Sequence, residues 1–185
     1  LVEALSEAGL GPEELKDAFE KVTLYPEVRW MEGREDPPDF EKVKSRLEEF
    51  LADVLPLVPR DAGPEGRDDF QKTMIRLEIR RKNIGFENPL VLMETLKELD
   101  KNYGITQKHW PYPEQAKSAL ADFEAFRTAF VQPTLALWRE YRHSRIIDFL
   151  MPGVLFFYDQ RKKRSLVNFA DLLLSVSLLL RTRPK

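Results

Sequence analysis

The chain reads as an all-α protein, an irregular set of helices with the longest at its C-terminal end. Three observations carry this reading. Phe40, Val43, Leu47, Phe50, Leu51 and Val54 recur at helical spacing and form one apolar stripe over residues 39–54. Alternating apolar and polar runs of strand length do not occur. Prolines and glycines stand between the periodic segments, where they start or stop helices.

Taken in order, residues 2–8 and 12–21 predict two short helices around Gly9-Leu10-Gly11, with Pro12 suited to a first helical turn. Residues 25–30 read as extended and 32–36 as an acidic loop. The helix over 39–54 lies between Pro37-Pro38 and Pro56. Residues 59–66 form a second loop, after which a helix is expected over 67–82. Its inner face is Phe70, Met74 and Leu77, and Asp68 with Lys72 and Glu78 with Lys82 are spaced as i,i+4 ion pairs. Asn88-Pro89 opens a helix lasting to about Leu99, and 102–113 is a loop. Residues 113–131 offer Ala116, Leu120, Phe123 and Phe130 as a buried stripe. Pro133 fits a kink or a new first turn before a helix over 134–150, and Pro152-Gly153 should break or kink the chain before 154–164 resumes. Asn168 then caps a last helix whose buried face is Leu166, Phe169, Leu172, Leu173, Val176, Leu179 and Leu180.

With 185 residues, 43% apolar and 32% charged, the composition suits a single globular domain over 1–185 and argues against wholesale disorder. No run approaches the roughly 20 apolar residues of a membrane span. The first residues carry no basic flank or cleavage signal, and no Met begins the chain; a cytoplasmic piece of a longer protein is expected. Absence of cysteine removes disulfides and thiolate sites, and two histidines are too few for a persuasive zinc site or catalytic triad. A metal-free chain without catalytic residues is the expectation.

Charge is unevenly placed. Residues 1–60 hold 8 Lys/Arg against 15 Asp/Glu, and residues 135–185 hold 10 against 4. A weakly acidic protein can therefore carry a cationic surface that attracts phosphates. Three basic sets stand out. Lys72, Arg76 and Arg80 share one helix face, extended by Arg81 and Lys82; Arg139, Arg142 and Arg145 are interleaved with Trp138 and Tyr141; and Arg161, Lys162, Lys163 and Arg164 are consecutive. Each has two readings, phosphate contact or an ordinary solvated face. Trp138 and Tyr141 fit core anchors better than a stacking platform for bases.

The last set leads from Tyr158 through Arg161 and Lys162 to Asn168, Phe169, Asp171, Leu172 and Leu173. That string resembles the entry back into the motor core of UvrD/Rep-type superfamily 1 DNA helicases, the AddA/RecB branch included. Asn168 stands where Asp is common in the family, and either residue caps a helix. Ala8, Gly9, Leu10, Pro12, Leu15, Ala18 and Phe19, with Tyr25, Pro26 and Val28, are similar to the helical insertion of AddA/RecB-like members.

The resemblance implies the accessory subdomain called 1B, inserted in a RecA-like motor domain, with residues 158–180 as the return helices. It explains why no Gly-Lys-Ser/Thr phosphate loop and no Asp-Glu strand end occur here. ATP and Mg would belong to motor domains elsewhere in the parent. The implied partners are DNA, duplex or single-stranded, the other helicase domains, and a partner subunit; no membrane is implied. The residues expected at the DNA backbone are Arg76, Arg80, Arg81, Arg142, Arg145, Arg161, Lys162 and Lys163. Asn168 and Asp171 are expected to cap and dock the last helix. The rival expectation is a helical protein–protein interaction module whose acidic first third and apolar helices face partner subunits.

Overall fold

A computed structural model describes residues 2–24, 30, 33–61, 66–166, 172, 173, 176, 179, 180 and 182. Among them the fold is all-α, with no β-strand. Helices α1 (Val2–Glu7), α2 (Pro12–Leu24), α3 (Phe40–Val54), α4 (Asp69–Asn83), α5 (Pro89–Leu99), α6 (Pro113–Phe126) and α7 (Gln132–Lys163) follow one another, with 3-10 turns at Leu55–Leu57 and Gln107–His109. The extended reading of 25–29 and the loop reading of 62–65 lie outside the described residues. None of the described helices is long and apolar enough to cross a membrane.

Local chemistry sets the ends. Helix α1 closes with the Leu10 amide bonding the Leu5 carbonyl and the Gly9 amide bonding that of Ser6, both at 2.9 Å. Gly9 sits at φ +63°, the left-handed conformation this C-terminal motif demands. Asp39 caps α3 by accepting from the Lys42 amide at 3.1 Å. Asn88 caps α5 through the Leu90 amide, and Pro89 occupies the first turn.

Asp68 differs from its sequence expectation. It is 6% exposed and caps α4 reciprocally with Gln71 instead of pairing with Lys72. One oxygen takes the Gln71 amide at 2.8 Å; the other takes the Thr106 amide at 3.1 Å and Trp110 Nε1 at 2.9 Å. Lys72 pairs with Asp69. A buried carboxylate must be satisfied, and three amide-type donors do so better than one mobile ammonium.

The chain forms two compact units, Leu1–Gly33 with Arg142–Lys185, and Arg34–Tyr141. In the first, Val22, Leu150 and Val154 are buried, and Phe19, Trp30, Ile146, Ile147 and Tyr158 pack around them. Tyr158 Oη donates to the Thr23 carbonyl at 2.7 Å, fixing the end of α2 against α7. In the second, the predicted stripe of α3 is buried from Val43 to Val54, and Phe70, Met74 and Leu77 are fully covered on α4. Phe70, Tyr103 and Phe123 meet edge to face, with Phe70–Phe123 and Tyr103–Phe123 centroids 5.4 Å apart. Burying one such ring contributes about 1.5–3 kcal/mol. Trp138 and Tyr141 are core anchors, 2% and 6% exposed.

Three expectations are corrected. Leu120 and Phe130 are half-buried, and Ala119 joins Ala116 and Phe123 on the buried face of α6; Phe130 falls past the end of that helix at Phe126. Residues Arg127–Val131 form a π-turn in which the Gln132 amide bonds the Arg127 carbonyl. This wide turn suits Pro133, which has no N–H and whose ring would strike the carbonyl four residues back in an α-turn. Of the break or kink expected at Pro152, the break does not occur: α7 runs through it to Lys163. Leu150 and Val154, buried on either side, hold the helix while one backbone bond is lost. Finally, the expected buried face of the last helix is not buried. Leu166, Leu172, Leu173, Val176, Leu179 and Leu180 are all more than half exposed, since nothing among the described residues covers them. Phe169, with Asn168 and Asp171, lies outside the described residues.

Candidate nucleic-acid interface

The eight cations expected at a phosphate backbone fall into three places. On α4, Arg76 and Arg80 converge on Glu98 of α5, at 2.5 and 3.0 Å. Arg80 also donates to Thr95 Oγ1 at 3.1 Å, and Arg76 to Thr73 Oγ1 at 3.3 Å. One carboxylate thus serves two guanidinium groups. Arg76 keeps a side chain 60% exposed, whereas Arg80 is at 27%. Arg81, half-buried on the neighbouring face, makes no hydrogen bond or ion pair among the described residues. Lys82 joins Arg60 on Glu78 instead.

Arg142 has an internal job. Its Nε donates to the Ala8 carbonyl at 2.9 Å, and Nη2 reaches the Gly9 carbonyl at 3.3 Å and Glu14 at 2.7 Å. The guanidinium therefore satisfies the carbonyls that end α1 and neutralises the first turn of α2. Little of it is left for a phosphate. Arg145, one turn on, is half-buried and engaged within the protein. His143, between them, packs against Trp30 with centroids 6.4 Å apart.

The final turn of α7 is different. It ends in a C-terminal motif like that of α1: the Leu166 amide bonds the Arg161 carbonyl at 2.9 Å, and the Ser165 amide that of Lys162 at 3.1 Å. Ser165 takes φ +55°, alone among the described non-glycine residues in having a positive value. The motif locks residues 161–164 into one turn, so that their side chains fan around the axis. Arg161 is steered inward, its guanidinium 5.6 Å from the Phe157 ring and its Nε on the Leu166 carbonyl. Lys163 bonds Asp159 at 2.5 Å. Lys162 and Arg164 are exposed and make no side-chain bond among the described residues. Cations here also favour the negative end of the helix dipole.

This turn adjoins apolar surface. Leu155, Phe156 and Phe157 are 61%, 66% and 40% exposed. The basic turn is therefore flanked by apolar side chains before it, and after it by the exposed leucines of the C-terminal segment. Of the family-like string, Leu172 and Leu173 have helical backbone and face outward, and Asn168, Phe169 and Asp171 are not among the described residues.

Sequence reasoning missed the roles of Glu98 and Glu14. They lie 18 or more residues from the cations they neutralise, and only tertiary packing brings them together. Chemically, the arrangement offers one exposed cationic turn and one partly neutralised cationic face. No group of three His, Cys, Asp or Glu able to hold a metal ion occurs among the described residues. Compared with known protein families, curated proteins and solved structures, the chain matches none.

Proposed function

We propose that the chain is a helical accessory domain of an ATP-dependent superfamily 1 DNA helicase or helicase–nuclease, of the 1B type, which holds the DNA backbone without reading sequence. The observation that carries this reading is the final turn of α7, where Lys162 and Arg164 are presented without internal partners among the described residues, beside Arg161 and Lys163. Cations fanned around one turn suit phosphates spaced along a groove and carry no base information. Arg76 and Arg81 on α4 are secondary contacts; Arg80, Arg142 and Arg145 serve mainly to hold the fold. ATP and Mg act in the parent's motor domains, and the exposed leucines after Leu166 are where those domains dock.

A second reading, a helical protein–protein interaction module, is favoured by exposed Leu155, Phe156 and Phe157, which a purely phosphate-binding surface does not need.

Fluorescence anisotropy of the chain against labelled duplex and single-stranded oligonucleotides separates the two. Binding at about 50 mM salt should fall steeply by about 200 mM. Reversing Lys162 and Arg164 to Glu should abolish it. Neutralising them to Gln should reduce the log–log salt slope by about 2, near 0.9 for each phosphate that is no longer neutralised. Absence of binding at low salt, or an unchanged slope, leaves the interaction module.

A further inference from the structure

Helices α3 and α6 leave between them a cleft of about 390 Å³ that the DNA-contact reading does not use. Phe50, Val54 and Phe126 form its apolar floor, with the Phe50 and Phe126 rings stacked at 4.1 Å and 3°. Phe50 and Val54 are buried and Phe126 is half-buried; Phe126 is stacked between Phe50 and Phe130, 5.3 Å away, so the pair is fixed and meets the cleft by its edges. The rim is acidic: Glu49, Asp53 and Asp122 line it, against one cation, Arg46.

Arg46 is already matched, bonding Glu49 at 2.6 Å. Asp122 receives the Ser118 hydroxyl at 3.4 Å, and neither it nor Asp53 has a cationic partner among the described residues. The carboxylates stand apart rather than in a group that could hold a metal ion. A small, half-open cleft with a stacked aromatic floor and two unmatched carboxylates suits an extended cation with a methylene stem. The stem packs on the apolar floor of Val54, Leu57 and the open edge of Phe126, and the head reaches the rim.

We infer that this cleft receives an arginine or lysine side chain carried on an apolar segment of a partner protein. Charge complementarity selects that occupant: the unmatched negative rim repels phosphate and acidic peptides, and the aromatic floor gives a small hydrated cation little. The cleft volume admits one or two side chains rather than a whole helix. This assignment stands independently of the DNA-contact reading, since it concerns a surface of opposite charge.

The test is calorimetry and two-dimensional amide NMR on the whole chain with an acetylated, amidated peptide alternating Leu with Arg. A peptide with Glu in place of Arg, and argininamide alone, are the controls. The Arg peptide should bind and shift amides of α3 and α6, and the Glu peptide should not. Asp53→Asn with Asp122→Asn should weaken binding about tenfold, the effect of two exposed ion pairs. Ala125→Trp should block it by filling the cleft. Melting curves recorded beside each titration establish that the variants are folded; Asp53 and Ala125 are exposed, so both changes leave the core intact. Equal affinity in the double Asn variant overturns the inference, as does failure of the Arg peptide to bind. Argininamide binding as tightly as the peptide would make the occupant a free small cation. Self-association lost in the same variants would make it a second copy of the chain. Either result also overturns the assignment to a partner.

Discussion

Glu78 is held by Arg60 on one side and Lys82 on the other, and hydrogen bonds from these two, Arg60 foremost, draw its carboxyl from the ordinary 4.5 down to about 2. A carboxyl depressed in the folded state stabilises the protein fully above its unfolded value and loses that contribution as pH falls towards the folded one. Glu78→Gln should therefore melt below the parent at neutral pH, and the gap should close between pH 4.5 and 2. Thermal melts across that window check it. The pair of Glu78 with Lys82 is legible in the sequence because both sit on one helix. Arg60 is not, since it reaches Glu78 from outside the helix, 18 residues earlier. The same limit applies to Arg142: its spacing from Arg139 and Arg145 is readable, but the carbonyls it meets lie more than 130 residues away.

Among the elements, α4 depends most on one side chain. Asp68 ends three amide-type hydrogen bonds in a site 6% exposed, and two of its donors come from the loop after α5. Asp68→Ala removes a cap and leaves Thr106 and Trp110 donors without an acceptor. The expected cost is about 2–4 kcal/mol, measurable by denaturant unfolding. Asp68→Asn, which keeps one acceptor oxygen, should cost less. The Asp-x-x-Gln cap is written in the sequence, but the reach to Trp110 requires the loop's return and could not be read. Helix positions were legible because Pro and capping residues mark their ends. Burial of the last stripe was misread for a physical reason: periodicity says which residues share a face, never what covers it.

At the scale of the molecule, the two units each have a core, around Val22, Leu150 and Val154 in one and around Phe70 and Phe123 in the other. Phe123→Ala should cost about 3–5 kcal/mol. Amide hydrogen exchange should register that loss across residues 34–141 while residues 142–163 keep more of their protection. Equal loss in both would make them one cooperative unit. The all-α class was readable from composition and periodicity. The division was not, because Leu1–Gly33 is joined with Arg142–Lys185, segments more than a hundred residues apart.

The π-turn at Arg127–Val131 has a consequence for how the chain tolerates length changes. Such a turn is what one inserted residue leaves in a continuous helix: the surplus is absorbed locally, and every face beyond it keeps its phase. Removing one residue from the turn would still leave Trp138 and Tyr141 facing inward. It would also restore the tighter winding, in which the Pro133 ring presses on the carbonyl four residues back and one backbone bond is lost. Deletion alone should therefore damage the fold, and deletion together with Pro133→Ala should repair it, so that α6 and α7 merge into one uninterrupted rod.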